Sequence, residues 1–211
     1  MKASLLILGL LGACALPAAP IYLNTTTDTF DTLFYSTGPY TQVGDQIALA
    51  GTARLGNTAV VQFFNNGTAS GTFTATLRFF NVGAPVGSQV GGNFVTSGTS
   101  ITSGNVANVS FNLGGLLLPD NLVFTVAVSS LAAGLDLGVT IFNPPTVGSS
   151  STAFFIVNNG SAFSTASLGT GHDNVYFSLD ASGAGTPEPA TISMMLLAIP
   201  GIIVARRRLR A

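Results

Sequence analysis

Few residues in this chain could carry chemistry. Histidine occurs once, at His172, glutamate once, at Glu188, and cysteine once, at Cys14. A Ser-His-Asp triad needs an imidazole held between a nucleophile and a carboxylate. His172 could fill that place, but no Gly-x-Ser-x-Gly elbow nominates a serine. Asp173 is its immediate neighbour, and neighbours on a strand point to opposite faces. Gly171-His172-Asp173-Asn174 reads as a polar turn before a final strand. A single histidine and a single cysteine exclude histidine- or thiolate-based zinc ligation. Calcium asks for several oxygen ligands. Asp28 with Asp31, or Asp120, Asp136 and Asp173 gathered by the fold, could supply them, so a structural Ca²⁺ is the metal this composition could hold. No Asp-x-Asp-x-Asp-Gly loop is present, and each aspartate reads alone as a turn or edge residue. A glycosidase needs two opposed carboxyls about 5–9 Å apart. No spacing marks such a pair, and the chain has no Trp to line a cleft. These residues point away from an enzyme.

Sugar binding asks less, because an exposed aromatic ring suffices as a stacking surface. Tyr22, Tyr35, Tyr40 and Tyr176 are the tyrosines available. In Val175-Tyr176-Phe177-Ser178-Leu179, alternation sets Tyr176 opposite the three apolar residues, so it faces outward on a regular strand. Tyr176, with His172 in the turn before it, is the candidate ligand contact. The simpler role for such a tyrosine is to fill a sheet surface.

The elements that must position these residues are strands. Thr72 to Phe79 puts Phe73, Ala75, Leu77 and Phe79 on one face and Thr72, Thr74, Thr76 and Arg78 on the other. Thr58 to Phe64 is also strand-like. Asn65-Asn66-Gly67 between the two supplies turn residues, so the pair reads as a hairpin. Val109–Leu113, Leu122–Val128 and Val175–Leu179 also alternate, and Val139–Phe142 and Phe154–Val157 are further strand-like runs. Pro119-Asp120-Asn121, Asn143-Pro144-Pro145 and Asn158-Asn159-Gly160 separate several of them. Val61 to Gly67 and Phe154 to Gly160 look alike, as one strand-turn solution used twice. No helix of normal length is visible between Ile21 and Gly185. The pattern predicts one antiparallel β-sandwich or jelly-roll-like domain over residues 20–180, with a linker at 181–186.

Charge is distributed unevenly. Lys2 is the only Lys, and four of the six Arg lie at 206–210. Between Leu16 and Gly185, Arg54 and Arg78 face seven aspartates, a balance of −5. An acidic, lysine-free domain is unsuited to nucleic acid, which is bound through clustered cations.

The two ends are apolar. Met1-Lys2-Ala3-Ser4, a run from Leu5 to Leu11 and then small residues read as a secretory signal peptide over 1–19, cut after about residue 15–19. Leu11-Gly12-Ala13-Cys14 also resembles a lipoprotein cleavage site, which would leave Cys14 lipidated. At the other end, Thr186-Pro187-Glu188-Pro189 is kept extended by two prolines. Residues 190–205 follow as an apolar helix of about 24 Å at 1.5 Å per residue, slightly short for a ~30 Å hydrocarbon core. Arg206, Arg207, Arg208 and Arg210 then hold that side of the span in the cytoplasm.

Pro-Glu-Pro, apolar span and terminal Arg cluster, in that order at 186–211, resemble a PEP-CTERM sorting tail. The resemblance covers about an eighth of the chain. It implies recognition near Pro187, Glu188 and Pro189 by an exosortase, after export by the Sec machinery and signal peptidase. It further implies a precursor tethered transiently to the inner membrane, and a mature form at the cell surface or in an exopolysaccharide matrix. The expected protein is therefore an exported, non-enzymatic envelope protein. A carbohydrate-binding module is the first alternative, and a hydrolase using His172 or aspartate pairs the second.

Overall fold

The computed structural model describes residues 18–35, 39–151, 155–169 and 174–182. Among them are thirteen strands and no helix: β1 (Ala19–Asn24), β2 (Asp28–Phe34), β3 (Gln42–Ala48), β4 (Leu55–Asn65), β5 (Gly71–Val82), β6 (Val86–Ile101), β7 (Val106–Leu117), β8 (Asn121–Ser129), β9 (Leu137–Phe142), β10 (Ser149–Ser150), β11 (Phe155–Asn158), β12 (Phe163–Ala166) and β13 (Phe177–Ser182). They form two antiparallel sheets packed as a β-sandwich. The six-stranded sheet runs β1-β13-β4-β9-β2, with β7 on the other edge of β4; the seven-stranded sheet runs β12-β11-β3-β8-β5-β6, with β10 on β3. Among the described residues, no helix is long and apolar enough to cross a membrane. Residues 1–17 of the leader, the sorting motif at Pro187–Pro189, the span and the four terminal arginines lie outside the described residues, while Ala19, the last residue assigned to the leader, opens β1.

The alternation read from sequence holds in β5: Phe73, Ala75, Leu77 and Phe79 are buried, while Thr72 is exposed and Thr74, Thr76 and Arg78 are half-buried. The strand's supposed partner does not hold. β4 and β5 do not form a hairpin; they belong to opposite sheets. Both strands have one fully apolar face, and the lowest-energy use of two such faces is to lay them against each other across the core. Phe63 and Phe73 meet there edge to face, with centroids 5.1 Å apart. The link is locked by Asn65. Its Nδ2 donates to the Ala69 carbonyl at 2.9 Å, and its Oδ1 accepts the amides of Gly67 at 2.9 Å and Asp136 at 3.2 Å. The look-alike Asn158-Asn159-Gly160 uses the same local bond, Gly160 N–H to Asn158 Oδ1 at 2.7 Å. There the chain does fold back as a hairpin, β11 on β12. One local turn thus serves two different tertiary outcomes.

Aromatic rings dominate the core. Phe124 and Phe177 stack across the sandwich at 3.9 Å, and Tyr22 and Phe79 flank Phe177 at 6.0 and 6.4 Å. Removing such a ring typically costs about 3–5 kcal/mol. The domain also runs further than the sequence indicates. β13 extends to Ser182, and Ala181 is 1% exposed, so the first residues assigned to a linker are the end of a core strand.

Candidate functional site

Of the tyrosines considered for sugar stacking, Tyr22 and Tyr35 are excluded by burial in the core, and Tyr40 is packed against it. Each apolar strand face needed large residues, and β1 supplies Tyr22 to the inside. The Tyr35 hydroxyl donates to the Val126 carbonyl at 2.9 Å. Burial pushes its ionisation well above the ordinary tyrosine range. Tyr22 is shifted the same way, first by burial and then by the negative charge of Asp45. Its hydroxyl has no well-formed hydrogen bond among the described residues, although Ser150 nearby partly offsets the burial.

Tyr176 lies where alternation puts it, half-buried on the outer face of the six-stranded sheet, between inward-facing Val175 and Phe177. Burial raises the pKa of its hydroxyl. Its ring meets Phe142 edge to face, at 4.9 Å and 83°. The backbone beneath is pinned from both sides: Tyr176 N–H donates to the Thr140 carbonyl at 2.8 Å. Asn24 Nδ2 donates to the carbonyls of Phe142 at 2.8 Å and Val175 at 3.0 Å. His172 and Asp173 lie outside the described residues.

Around Tyr176 the register builds a banded surface. At one end, Asp28 of β2 is paired with Phe142 of β9, so both side chains share the outer face with Tyr176. In the middle, Thr32 is paired with Thr140, whose hydroxyl bonds Gln62 Oε1 at 3.1 Å. Gln62 Nε2 in turn donates to Asn108 Oδ1 at 3.0 Å. At the other end, Phe34 and Phe64 are both in register with Gly138. The missing side chain leaves room for their rings to meet above it, with centroids 6.5 Å apart. Two aromatic bands therefore flank a ladder of hydroxyls and amides. They stand four residues apart along β9, about 14 Å at 3.4 Å per residue. Phe142 and Thr140 are buried, at 7% and 6% exposure, so the groups a chain-like ligand can reach on this face are the half-buried rings of Phe34, Phe64 and Tyr176 and the polar side chains of Thr32, Gln62 and Asn108. Sequence reasoning found Tyr176 but missed Phe34, Phe64 and Phe142. The doublet Phe63-Phe64 carried the signal, since one ring of any such pair must face out of the sheet.

Among the described residues, the aspartates do not gather into a metal site. Asp120 pairs with Arg54 at 2.7 Å, and Asn66 Nδ2 donates to Asp136 Oδ2 at 3.4 Å. Among the described residues, no three His, Cys, Asp or Glu side chains come together to hold a metal. Asp45, passed over in the sequence, is fully buried on the core-facing side of β3; its Oδ1 accepts the Gln46 amide at 2.7 Å.

No family model and no curated protein matches the chain. Among solved structures, a chain of infectious bursal disease virus Gt strain is similar at a TM-score of 0.36 and 13% identity, over 92% of this chain and 51% of that one. A chain of the Gx strain of that virus is similar at a TM-score of 0.29 and 12% identity, over 93% of this chain and 52% of that one. The chain thus spans about half the length of the solved chains it matches. A likeness this weak assigns neither family nor function.

Proposed function

We propose that this chain is an exported, non-enzymatic protein of the cell envelope or extracellular matrix, delivered through a PEP-CTERM tail. The observation that carries this reading is the ordered tail: Pro187-Glu188-Pro189, the apolar run 190–205 and Arg206, Arg207, Arg208 and Arg210 at the end. In this reading a signal-peptide helix and a membrane-spanning helix flank a jelly-roll-like sandwich. An exosortase cuts near the Pro-Glu-Pro and releases the domain from the inner membrane. A β domain with hydroxyl-rich outer faces suits residence among hydrated polymers. Replacing Pro187-Glu188-Pro189 by three alanines is expected to leave the full-length form in the inner membrane. The check is the intact mass of the protein recovered from envelope fractions. A mature mass unchanged by the mutation overturns sorting through this motif.

The banded outer face favours a second, compatible reading: the domain binds carbohydrate along Phe34, Phe64 and Tyr176, with buried Phe142 backing the Tyr176 ring. Tyr176→Ala is expected to weaken binding to an oligosaccharide found by glycan array roughly three- to tenfold, the scale of one aromatic contact. Calorimetric titration measures it. Equal affinity in the mutant removes Tyr176 from the site.

A further inference from the structure

The margin of the same sheet carries an aromatic residue for which the sandwich itself has no use. Phe30 is 92% exposed, and its φ is +63°, in the left-handed region that a side chain disfavours. Exposure and backbone strain are separate penalties, and both fall on one residue. The chain holds it there with dedicated bonds. Asp28 Oδ1 accepts the Phe30 amide at 2.8 Å, and Thr29 Oγ1 donates to the Ile141 carbonyl at 2.9 Å. Between the pairs Asp28–Phe142 and Thr32–Thr140, three residues of β2 stand opposite one of β9. A bulge of this kind re-aims a side chain, and here the Phe30 ring stands in solvent two residues along β2 from Asp28, the register partner of Phe142.

Resting on the sugar-binding reading above, we propose that Phe30 is a further stacking contact, extending the site past the β2 edge, and that its ligand is a neutral polysaccharide. Asp28 and Asp31 bracket the ring in sequence. A carboxylate has about four acceptor positions, so Asp28 can hold the Phe30 amide and still take a sugar hydroxyl. A flat sugar face leaves the exposed Asp28 hydrated. A protein pocket or a lipid layer closing over Phe30 would strip its water, at high cost. The balance of −5 between Leu16 and Gly185 repels polyanions.

The test uses the full chain, purified in a detergent without a sugar head group. It is first screened on an array of neutral glycans, then titrated with the best neutral oligosaccharide, with a polyuronate oligosaccharide and with zwitterionic lipid vesicles. Wild type is expected to bind the neutral oligosaccharide through Phe30, while any binding of the polyuronate or the vesicles comes from the apolar run 190–205 and its arginines and is the same in Phe30→Gly. Phe30→Ala should lose roughly three- to tenfold in affinity, and Phe30→Tyr should keep it. Phe30→Gly is the decisive variant. Glycine adopts the same φ without strain, so it should bind as poorly as Phe30→Ala while melting no lower than wild type. Phe30→Gly binding at wild-type affinity overturns the role of Phe30. Polyuronate or vesicle binding that falls in Phe30→Gly overturns the choice of ligand, and a silent array overturns both. Loss in Tyr176→Ala without loss in Phe30→Gly sinks this contact and leaves the banded face standing. The reverse pattern keeps Phe30 and removes Tyr176.

Discussion

Single tyrosines show how position decides chemistry in a chain with so few reactive groups. Tyr22 and Tyr35 are buried with their ionisation raised above the ordinary value of 10.0. A group whose folded pKa lies above its unfolded one holds its proton more tightly in the fold. Its contribution is complete below about pH 10 and is lost as pH rises further. The domain is therefore expected to lose stability steeply above about pH 10, measured by urea unfolding at about pH 9 and about pH 11. Tyr22→Phe should flatten that loss. At neutral pH it should change stability by no more than about 1 kcal/mol, since no good hydrogen bond is removed and the ring against Phe177 is kept. An unchanged alkaline slope in Tyr22→Phe would show that its hydroxyl does not drive the transition. The inside-outside choice for Tyr176 could be read from alternation. For Tyr22 and Tyr35 it could not, because β1 and β2 are short and irregular, with register shifts after Pro20 and Asp28. Phe30 was invisible for a related reason: Thr-Thr-Thr-Asp-Thr-Phe-Asp-Thr holds a single apolar residue, so no period shows where the chain bulges.

Strands were legible wherever one face is buried and the other is not, as in β5 and β7. β6 escaped notice because it is an edge strand with most residues exposed, which leaves no apolar period to see. Pairing was harder still. Alternation gives each strand a face but no partner, which is why β4 and β5 looked like a hairpin. The turn residues at Asn65-Asn66-Gly67 fit a sheet-to-sheet link as well as a reversal. At this scale Gly138 is the position most sensitive to change. A Cβ there would run into the Thr32 methyl and stand 2.7 Å from the Leu33 carbonyl oxygen. Gly138→Ala must push β2 away from β9 and part Phe34 from Phe64. The expected cost is about 1–3 kcal/mol, read as a lower midpoint in chemical denaturation. If the sugar-binding reading holds, affinity falls with it. A midpoint unchanged from wild type would mean that the two strands separate without penalty.

For the whole molecule, composition and turn spacing sufficed to predict an all-β sandwich, because a 7% charged chain rich in Thr, Val, Phe, Gly and Asn has few other ways to bury its apolar surface. The order of strands was out of reach, since it depends on contacts between residues far apart in sequence. That order has a consequence in time. β1 pairs with β13, and β13 also covers part of one edge of β4, so the first strand waits for the last. A chain appearing from its N-terminus, at a ribosome or a translocation pore, exposes β1 and part of the β4 edge until residues 177–182 have emerged. Closure by non-local pairing is intrinsically slow. The strand that completes the sheet ends at Ser182, four residues before the tail at Thr186. If residues 186–211 are the proposed sorting tail, completion of the fold and arrival of the tail are nearly simultaneous, and a device that detains the chain at that moment would hold it while the sandwich closes.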